Sequence, residues 1–300
     1  MLAYTPMKLE HLDELRPYIT QRRSRNCDDT VADMFMWREW FHKTWVIVEK
    51  SLVVRMTSYD GKTAYMVPLG GPDASRSAAL EAILEDCREQ GEDAYFTALV
   101  EDDVKWLREA GELEVEEMNS GWWDYIYEAD ALVNLSGKKY SSQRNHINKF
   151  VRDYPMYSFE PIMEENLEAV KTFFNNFDDS YFKELPMLDE ERKGIAEILD
   201  NFDLYQLPAG CLMLGDHVVG FTIGELIGDT LFSHIEKATT DLMGAYTILT
   251  HEFNDAMTAK YPQIRYINRE EDMGDPGLQR SKEGYNPIFM LRKYQAKLKL

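Results

Sequence analysis

The sequence predicts an α/β protein built from two domains. Helical and strand-like hydrophobic patterns alternate along both halves of the 300-residue chain, which is typical of sheets covered by helices. Hydrophobic residues make up 44% of the chain, enough for two cores, and charged residues make up 29%, near the norm for globular proteins. We place the boundary near residue 130 and expect domains of residues 1–130 and 131–300.

The first domain is expected to alternate helices with strands. Apolar residues recur at helical spacing in four of its segments. The expected helices span residues 9–19, 28–41, 77–90 and 101–110. The expected strands span residues 45–56, 63–69, 94–100 and 122–128. This order predicts a sheet with helices packed against it.

The second domain is expected to place helices before a sheet. A helix is expected within 135–152, and Gly215-Asp216 is a turn signal that predicts a hairpin. Further helices are expected at 164–175, 188–202, 244–261 and 276–283. The expected strands span residues 210–214, 217–227, 230–236, 264–267 and 288–291.

Residues 264–288 contain the clearest turn and helix-capping signals in the sequence. A short apolar strand runs into a polar segment, Gly274 allows a turn, and Asp275 and Pro276 suit the N-cap and first position of a helix. Gly284 is expected to stop that helix. Polar groups where a strand ends and a helix begins favour ligand binding, because helix N-termini offer unpaired N–H groups. Lys282 also suits a purely structural role, since a cation near a helix C-terminus stabilises it.

The residues of interest in this segment are Asp272, Gly274, Gly277, Leu278, Lys282, Tyr285 and Pro287. Together they resemble the C-terminal signature of the phosphatidylglycerol lysyltransferase C-terminal domain family. The resemblance is dense over residues 135–291 and weaker before them. It implies kinship with Fem-type aminoacyl-tRNA-dependent transferases, which are two tandem acetyltransferase-like (GNAT) folds with mixed central sheets flanked by helices. It also implies that Lys282 polarises the reacting ester.

The acetyltransferase-like order of the second domain implies a cleft. In that fold the third strand of the antiparallel set and the strand after the long helix run parallel and splay apart. The resemblance therefore implies His234 and Glu236 on one wall of the cleft and Asn268 and Arg269 on the other.

The segment 135–152 is basic and contains no acidic residue. Arg144 falls inside the apolar stripe of the expected helix, where an arginine needs an anionic partner. Two interpretations are open: a solvated basic helix with one snorkelling arginine, or a site for phosphate or an acidic substrate. The family has a similar segment, which supports the second. Together with the cleft, this predicts substrate contacts from Lys138, Lys139, Arg144, Asn145, Lys149, His234, Asn268, Arg269 and Tyr285.

Acyl transfer needs a positioned nucleophile, a route for its proton and stabilisation of the developing oxyanion. We expect Lys282 at the oxyanion and Glu236 or Asp272 as proton acceptors, whereas Asp275 serves better as an N-cap. Acetyltransferases bind coenzyme A through Arg/Gln-x-x-Gly-x-Gly/Ala, and Asp241 stands here in place of the basic residue. An acid opposes pyrophosphate binding. We therefore rank an aminoacyl-tRNA donor above coenzyme A, and a non-catalytic binding protein on the same fold stays open.

Composition limits the other functions. The net charge of −20 argues against broad nucleic-acid binding but allows a local tRNA site. Three scattered cysteines and no cluster with metal-ligand spacing indicate reduced thiols and predict no metal site. No signal peptide or membrane-spanning run is visible, so we expect a cytoplasmic protein, and the family resemblance implies a bacterial one. The acceptor is expected to be a small molecule or peptide carrying an amine or hydroxyl.

Overall fold

A computed structural model describes residues 1–178 and 187–300 of the chain. Within those residues the chain forms two compact units: Met1–Trp123 with Leu291–Leu300, and Asp124–Met290. Each unit contains a mixed sheet, which has seven strands in the described part of the chain. The predicted α/β class is confirmed. The division differs from residues 1–130 and 131–300 chiefly at the C-terminus, where the last residues belong to the first unit.

The elements are numbered along the described chain. The strands are β1 (Thr5–Pro6), β2 (Thr44–Val48), β3 (Ser51–Thr57), β4 (Thr63–Tyr65), β5 (Ala94–Leu99), β6 (Leu113–Glu117), β7 (Asp124–Glu128), β8 (Tyr157–Pro161), β9 (Ala209–Leu214), β10 (His217–Ile227), β11 (Thr230–Ala238), β12 (Tyr266–Asn268), β13 (Phe289–Leu291) and β14 (Tyr294–Leu298). The α-helices are α1 (Leu12–Ile19), α2 (Val31–Met36), α3 (Asp73–Gln90), α4 (Glu101–Arg108), α5 (Ala129–Asn134), α6 (Ser141–Asp153), α7 (Glu164–Asn175), α8 (Leu188–Asp200), α9 (Phe202–Tyr205), α10 (Ala245–Lys260) and α11 (Pro276–Glu283).

The sheet of the first unit has the order β1-β2-β3-β4-β5-β14-β6. Strands β4 and β5 are parallel, and β14 is antiparallel to both β5 and β6. Ile83 of α3, Phe96 of β5 and Leu107 of α4 are buried together in one core. The C-terminal strand therefore lies inside this sheet rather than at its edge.

One strand of the first unit was predicted wrongly. Residues 45–56 were expected to form a single strand, but they form the hairpin of β2 and β3, with Val48 opposite Ser51. The two turn residues, Glu49 and Lys50, have φ of 48° and 73°. A two-residue hairpin turn of this kind requires positive φ at both positions, which Asn and Gly usually supply. The turn is invisible in the sequence because neither residue type is present.

The sheet of the second unit has the order β13-β7-β12-β11-β10-β9-β8. β11 and β12 are parallel, and their pairing runs from Thr230 with Tyr266 to Phe232 with Asn268. β11 continues to Ala238, whereas β12 ends at Asn268. The two strands therefore separate beyond Phe232 and Asn268, which makes a gap in the sheet.

Helices α6 and α10 lie close together beside this sheet. Phe150 of α6 and Ala245 and Ile248 of α10 are buried in one cluster. Gly244, the N-cap of α10, has φ of 91°, and a Cβ atom there would lie 2.6 Å from the carbonyl oxygen of His146. Only glycine combines that backbone conformation with so close an approach. The N-terminal half of α10 can therefore pack directly against α6.

The predicted helix at 276–283 is confirmed as α11. The Asp275 side chain accepts a hydrogen bond from the Leu278 N–H at 2.7 Å, which is the predicted N-cap contact. The helix ends before Gly284, which keeps a right-handed conformation, and the left-handed residue is Asn286, with φ of 55°.

Candidate functional site

Two residues face each other across the gap between β11 and β12. Nη2 of Arg269, just after β12, donates to Oε2 of Glu236 on β11 at 2.5 Å, and both side chains are largely buried. Oε1 of Glu236 accepts from the Thr250 hydroxyl on α10 at 2.9 Å. Both carboxylate oxygens of Glu236 are thus engaged, and the carboxylate fixes Arg269.

Arg269 is held on a second side by an aromatic ring. Its guanidinium lies 4.7 Å from the centre of the Tyr285 ring, a cation–π arrangement. Within residues 1–178 and 187–300, Nε and Nη1 of Arg269 are buried and have no hydrogen-bond partner. A guanidinium carries five N–H donors, so most of this one is unused by the protein.

A pocket of about 390 Å³ opens beside Arg269. It lies where α6, α10 and α11 come together, and the first turns of α6 and α10 form part of its wall. In the described chain no carboxylate side chain lines it, whereas three basic side chains do. The lining residues are Lys139, Ser142, Gln143, His146, Tyr246, Thr247, Thr250, Arg269, Arg280, Ser281, Gly284 and Tyr285.

Gln143 joins the two sides of this pocket. Its Nε2 donates to the carbonyl oxygen of Gly284 at 2.7 Å, which fixes the amide and ties α6 to the end of α11. Its Oε1 is buried and finds no donor among the residues that the structure describes. The pocket therefore presents an acceptor from Gln143 and donors from Arg269.

His234 lies in a buried ion cluster. Its Nδ1 is 2.7 Å from Oε1 of Glu270, and its Nε2 is 3.5 Å from Oε2 of Glu225. Burial alone would lower the pKa of His234, but the two carboxylates outweigh burial and raise the pKa to about 10. His234 is therefore an imidazolium at neutral pH, and it holds Glu270 at the start of the loop that leads to α11.

Lys282 lies outside the described lining of the pocket, on α11. Its Nζ donates to the carbonyl oxygen of Glu271 and sits 5.9 Å from the centre of the Tyr125 ring. The Tyr127 hydroxyl donates to the Lys282 carbonyl at 2.7 Å. Burial lowers the pKa of Lys282 below its usual range, although Glu270 and Glu271 oppose this effect.

Asp272 and Asn268 are engaged in holding the same loop. Asp272 is buried and accepts from the Tyr125 hydroxyl at 2.6 Å and from the Gly274 N–H at 2.8 Å. Asn268 donates to Asp124 at 2.7 Å and accepts from the Glu270 N–H at 2.6 Å. These contacts fix the backbone between β12 and α11.

The basic segment before and within α6 is only partly directed at the pocket. Lys139 lines it, and Lys138 is the exposed residue beside it. Arg144 donates instead to the carbonyl oxygens of Leu135 and Gly137. Lys149 pairs with Asp153 at 2.5 Å, and Asn145 is exposed. Within the protein, Nη1 of Arg144 thus contacts backbone carbonyls, and the expected anionic partner stays a prediction.

Of the predicted site residues, the structure brings Lys139, Arg269 and Tyr285 together in the pocket and sets Glu236 directly behind Arg269. Arg144 and Lys282 were expected to converge, but the residues that meet are their neighbours Gln143 and Gly284. The lining residues that sequence reasoning missed are Ser142, Gln143, His146, Tyr246, Thr247, Thr250, Arg280, Ser281 and Gly284. Gly244 was the one available signal, because a glycine at the start of α10 indicates a close approach.

The chain resembles known proteins both in sequence and in fold. A sequence profile described as phosphatidylglycerol lysyltransferase, C-terminal, matches residues 20–297. An uncharacterised protein of Mycoplasmoides gallisepticum is 25% identical over 217 residues, 68% of this chain and 65% of that protein. This chain thus spans slightly less than two thirds of that relative's length.

Three solved structures resemble the chain over nearly its whole length. A conserved protein of unknown function from Bacteroides thetaiotaomicron VPI-5482 is 28% identical, with a TM-score of 0.86 and coverage of 100% of both chains. L-PGS from Bacillus licheniformis is 14% identical, with a TM-score of 0.62 over 99% of this chain and 94% of that one. FemX is 10% identical, with a TM-score of 0.52 over 99% and 98%. The predicted tandem acetyltransferase-like fold is confirmed.

The helices in the described part of the chain were compared with what a bilayer requires. A crossing helix needs about 20 predominantly apolar residues. In the part of the chain that the structure describes, no helix reaches the necessary length and apolar character.

Proposed function

The chain belongs to the phosphatidylglycerol lysyltransferase C-terminal family, and from that premise we propose that it is an acyltransferase. The proposed reaction moves an aminoacyl group from aminoacyl-tRNA to an amine or hydroxyl acceptor. The proposed site is the pocket between α6, α10 and α11 together with the neighbouring Lys282 loop.

The observation that carries the proposal is a basic pocket in an acidic protein. The chain has a net charge of −20, yet Lys139, Arg269 and Arg280 line the pocket and Lys138 stands beside it. The first turns of α6 and α10 add the partial positive charge of two helix N-termini. Such a concentration of positive charge supports binding of the phosphates at the end of a tRNA.

The proposed chemistry needs no covalent intermediate on the protein. The acceptor nitrogen or oxygen attacks the ester carbonyl carbon, a new bond forms there, and the bond to the tRNA ribose oxygen breaks. The proton of the acceptor ends on the released ribose hydroxyl. Lys282, as the resemblance implies, stabilises the oxyanion of the tetrahedral intermediate, and for this its Nζ exchanges the Glu271 carbonyl for the substrate oxygen.

Glu236 and Asp272 take supporting roles in this proposal. Both oxygens of Glu236 accept hydrogen bonds, from Arg269 and Thr250, and Asp272 accepts from Tyr125 and a backbone N–H. A general base must lie within reach of the proton that it removes, and neither carboxylate is among the described residues that line the pocket. We therefore assign Glu236 to positioning Arg269, and Asp272 to positioning the loop.

Binding of tRNA is tested by salt titration. We expect measurable affinity at low salt that falls steeply with salt concentration, because binding to phosphates releases counterions. Replacing Lys138 and Lys139 by alanine should reduce the slope of log K against log salt by about 0.7–0.9 for each phosphate that the variant no longer neutralises. Lys260→Ala, at the opposite end of α10, is the matched control and should leave the slope unchanged. Absence of binding at low salt excludes a tRNA donor.

Transfer is tested with a pool of radiolabelled aminoacyl-tRNAs and candidate amine and hydroxyl acceptors. We expect label to move to an acceptor, and Lys282→Ala to lose most of that transfer while tRNA binding persists. Equal transfer by the wild type and Lys282→Ala contradicts the role given to Lys282. A protein that binds tRNA and never transfers the label is a binding protein on the same fold.

A coenzyme A-dependent acyltransferase is the second candidate. The acid at Asp241 was expected to oppose it, but Asp241 is exposed and is not among the described residues that line the pocket. Its charge therefore opposes a pyrophosphate at the start of α10 less than the sequence indicated. A rise in melting temperature with acetyl-coenzyme A, and none with aminoacyl-tRNA, favours this candidate.

A further inference from the structure

A lysine amine and a cysteine thiol touch in the interior of the first unit. Nζ of Lys293 lies 3.2 Å from Sγ of Cys27, and it also donates to Oδ2 of Asp28 at 2.6 Å. Lys293 is 0% exposed and Cys27 is 1% exposed. A lysine is almost never fully buried unless it is paired, and here the pairing with Asp28 sets its nitrogen against a sulfur atom. The proposed acyl transfer uses none of these three residues.

The backbone on both sides of this contact is held in place. Cys27 lies in a short 3₁₀ turn, and the side chain of Asn26 before it donates to the Ala98 carbonyl at 2.8 Å. Lys293 immediately precedes β14, and its carbonyl accepts from the Met118 N–H at 2.9 Å. Because the fold keeps the thiol and the amine in contact, a reaction between them avoids the entropy cost of bringing two groups together.

The other two cysteines have different surroundings. All three thiols are buried. Cys87 contacts the Tyr65 hydroxyl at 3.7 Å, and Cys211 contacts the Met213 sulfur at 3.7 Å. Burial therefore does not distinguish Cys27 from the other cysteines, whereas its contact with an amine does.

We propose that Cys27 and Lys293 form a reversible covalent nitrogen–sulfur bond when the protein reacts with hydrogen peroxide. Peroxide oxidises the Cys27 thiol to a sulfenic acid and is itself reduced to water. Nζ of Lys293 then attacks the sulfur, the nitrogen–sulfur bond forms, the sulfur–oxygen bond breaks, and the hydroxyl leaves as a second water. Sulfenic acids condense with nitrogen in this way to give a sulfenamide. Overall, two electrons pass from sulfur to peroxide, and one proton of the ammonium is released by way of Asp28.

The bond joins a turn near the N-terminus to the residue just before the last strand. The two residues are 266 positions apart. Because β14 lies between β5 and β6, the bond fixes the start of a strand inside the sheet of the first unit. A cross-link that closes so long a loop restricts the unfolded chain and thereby stabilises the fold. Peroxide is therefore expected to stabilise the C-terminal strand in its sheet.

Peptide mass spectrometry of the full chain tests the bond. The protein is treated with hydrogen peroxide for several hours, because a buried thiol reacts slowly. We expect a joined pair of peptides, one with Cys27 and one with Lys293, whose mass is the sum of the two less two hydrogen atoms. Dithiothreitol should separate them. Cys87 and Cys211 are internal controls in the same digest and should join no lysine.

Two results of this experiment count against the proposal. A joined pair that keeps one oxygen atom overturns the nitrogen–sulfur bond in favour of an N–O–S bridge. Recovery of Cys27 only as the free thiol or as a sulfinic acid, with no joined pair, overturns the link altogether.

Two variants assign the partners. Cys27→Ser keeps a small side chain that accepts from Lys293, and it should form no joined pair. Lys293→Arg keeps a cation beside Asp28, but a guanidinium stays protonated and cannot attack the sulfur, so Cys27 should stay unlinked. Cys27→Ser carries the test by itself if the larger arginine prevents folding.

Melting temperature shows whether the bond stabilises the fold. Peroxide should raise the melting temperature of the wild type by about 4 °C or more, and dithiothreitol should reverse the rise. Cys27→Ser should show no rise. An equal rise in that variant contradicts the assignment to Cys27.

The outcome is independent of the proposed acyl transfer. Cys27 and Lys293 belong to the first unit, whereas the pocket is lined by residues of the second. A joined pair supports the inference even if no acyl group is ever transferred. Acyl transfer by a protein that never forms the pair supports the acyltransferase and overturns the inference.

Discussion

Gly244→Ala should destabilise the protein more than an alanine at any left-handed glycine in open space. The new Cβ atom would lie 2.6 Å from the carbonyl oxygen of His146, closer than a real Cβ contact allows. Gly137 is the matched control, because its φ of 84° is close to the 91° of Gly244 but no atom lies within 4 Å of the Cβ position in the described structure.

Both substitutions place an alanine in a left-handed conformation, but only Gly244→Ala also creates a steric clash. A left-handed alanine costs about 1–2 kcal/mol, and loss of unfolded-state entropy returns about 0.4–1 kcal/mol. Gly137→Ala should therefore cost about 0–1.6 kcal/mol. Gly244→Ala must also move α6 away from α10, and overpacking of this kind adds about 1–3 kcal/mol.

Thermal unfolding followed by circular dichroism measures the difference. A unit of this size loses about 2–4 °C for each kcal/mol, so Gly244→Ala should melt about 4–8 °C below Gly137→Ala for an added 2 kcal/mol. If the two variants melt together, the close approach of α6 and α10 is not what requires Gly244.

Three further predictions concern ionisable groups. Because the pKa of His234 is raised from 6.5 to about 10, its charge stabilises the fold fully below pH 6.5, and this contribution is lost as the pH rises to 10. In urea unfolding, the wild type should therefore lose stability over that pH range relative to His234→Gln. Parallel stability curves for the two proteins contradict this. Burial lowers the pKa of Lys282, so its labelling by acetic anhydride, quantified by peptide mass spectrometry, should begin at a lower pH than that of a lysine in a model peptide, and equal profiles contradict this. Glu236→Gln should lower the free energy of unfolding in urea by about 3–5 kcal/mol, because it leaves the charge of Arg269 uncompensated. The double variant Glu236→Gln with Arg269→Gln should lose less stability than Glu236→Gln alone. Equal losses in the single and double variants refute a coupled pair.

Local signals in the sequence predicted local structure well. The start of α11 follows from Asp275 and Pro276, which act within one turn, but Gly284 keeps a right-handed conformation and is not the left-handed stop that was expected. The gap between β11 and β12 was implied by resemblance and not by any local pattern. The turn of the β2–β3 hairpin was missed because Glu49 and Lys50 adopt positive φ without the residue types that announce it.

The pocket could be predicted only in part because its parts are distant in sequence. Arg269 and Glu236 were expected on opposite walls of one cleft, and they bridge it. Gln143 carried no signal, since its role depends on a carbonyl at Gly284, far along the chain. The carbonyl contacts of Arg144 were not predicted, because helical periodicity gives the direction of a side chain but not the loop carbonyls of Leu135 and Gly137 that it meets.

The position of β14 in the sheet of the first unit affects the order in which the two sheets can form during synthesis. The ribosome delivers Asp124–Met290 in full before it delivers Tyr294–Leu298. The first unit therefore cannot complete its sheet until the second unit has been synthesised, because β5 and β6 both pair with β14. The half of the protein that is translated first is thus completed last, and the edges of β5 and β6 that pair with β14 stay open until β14 is available.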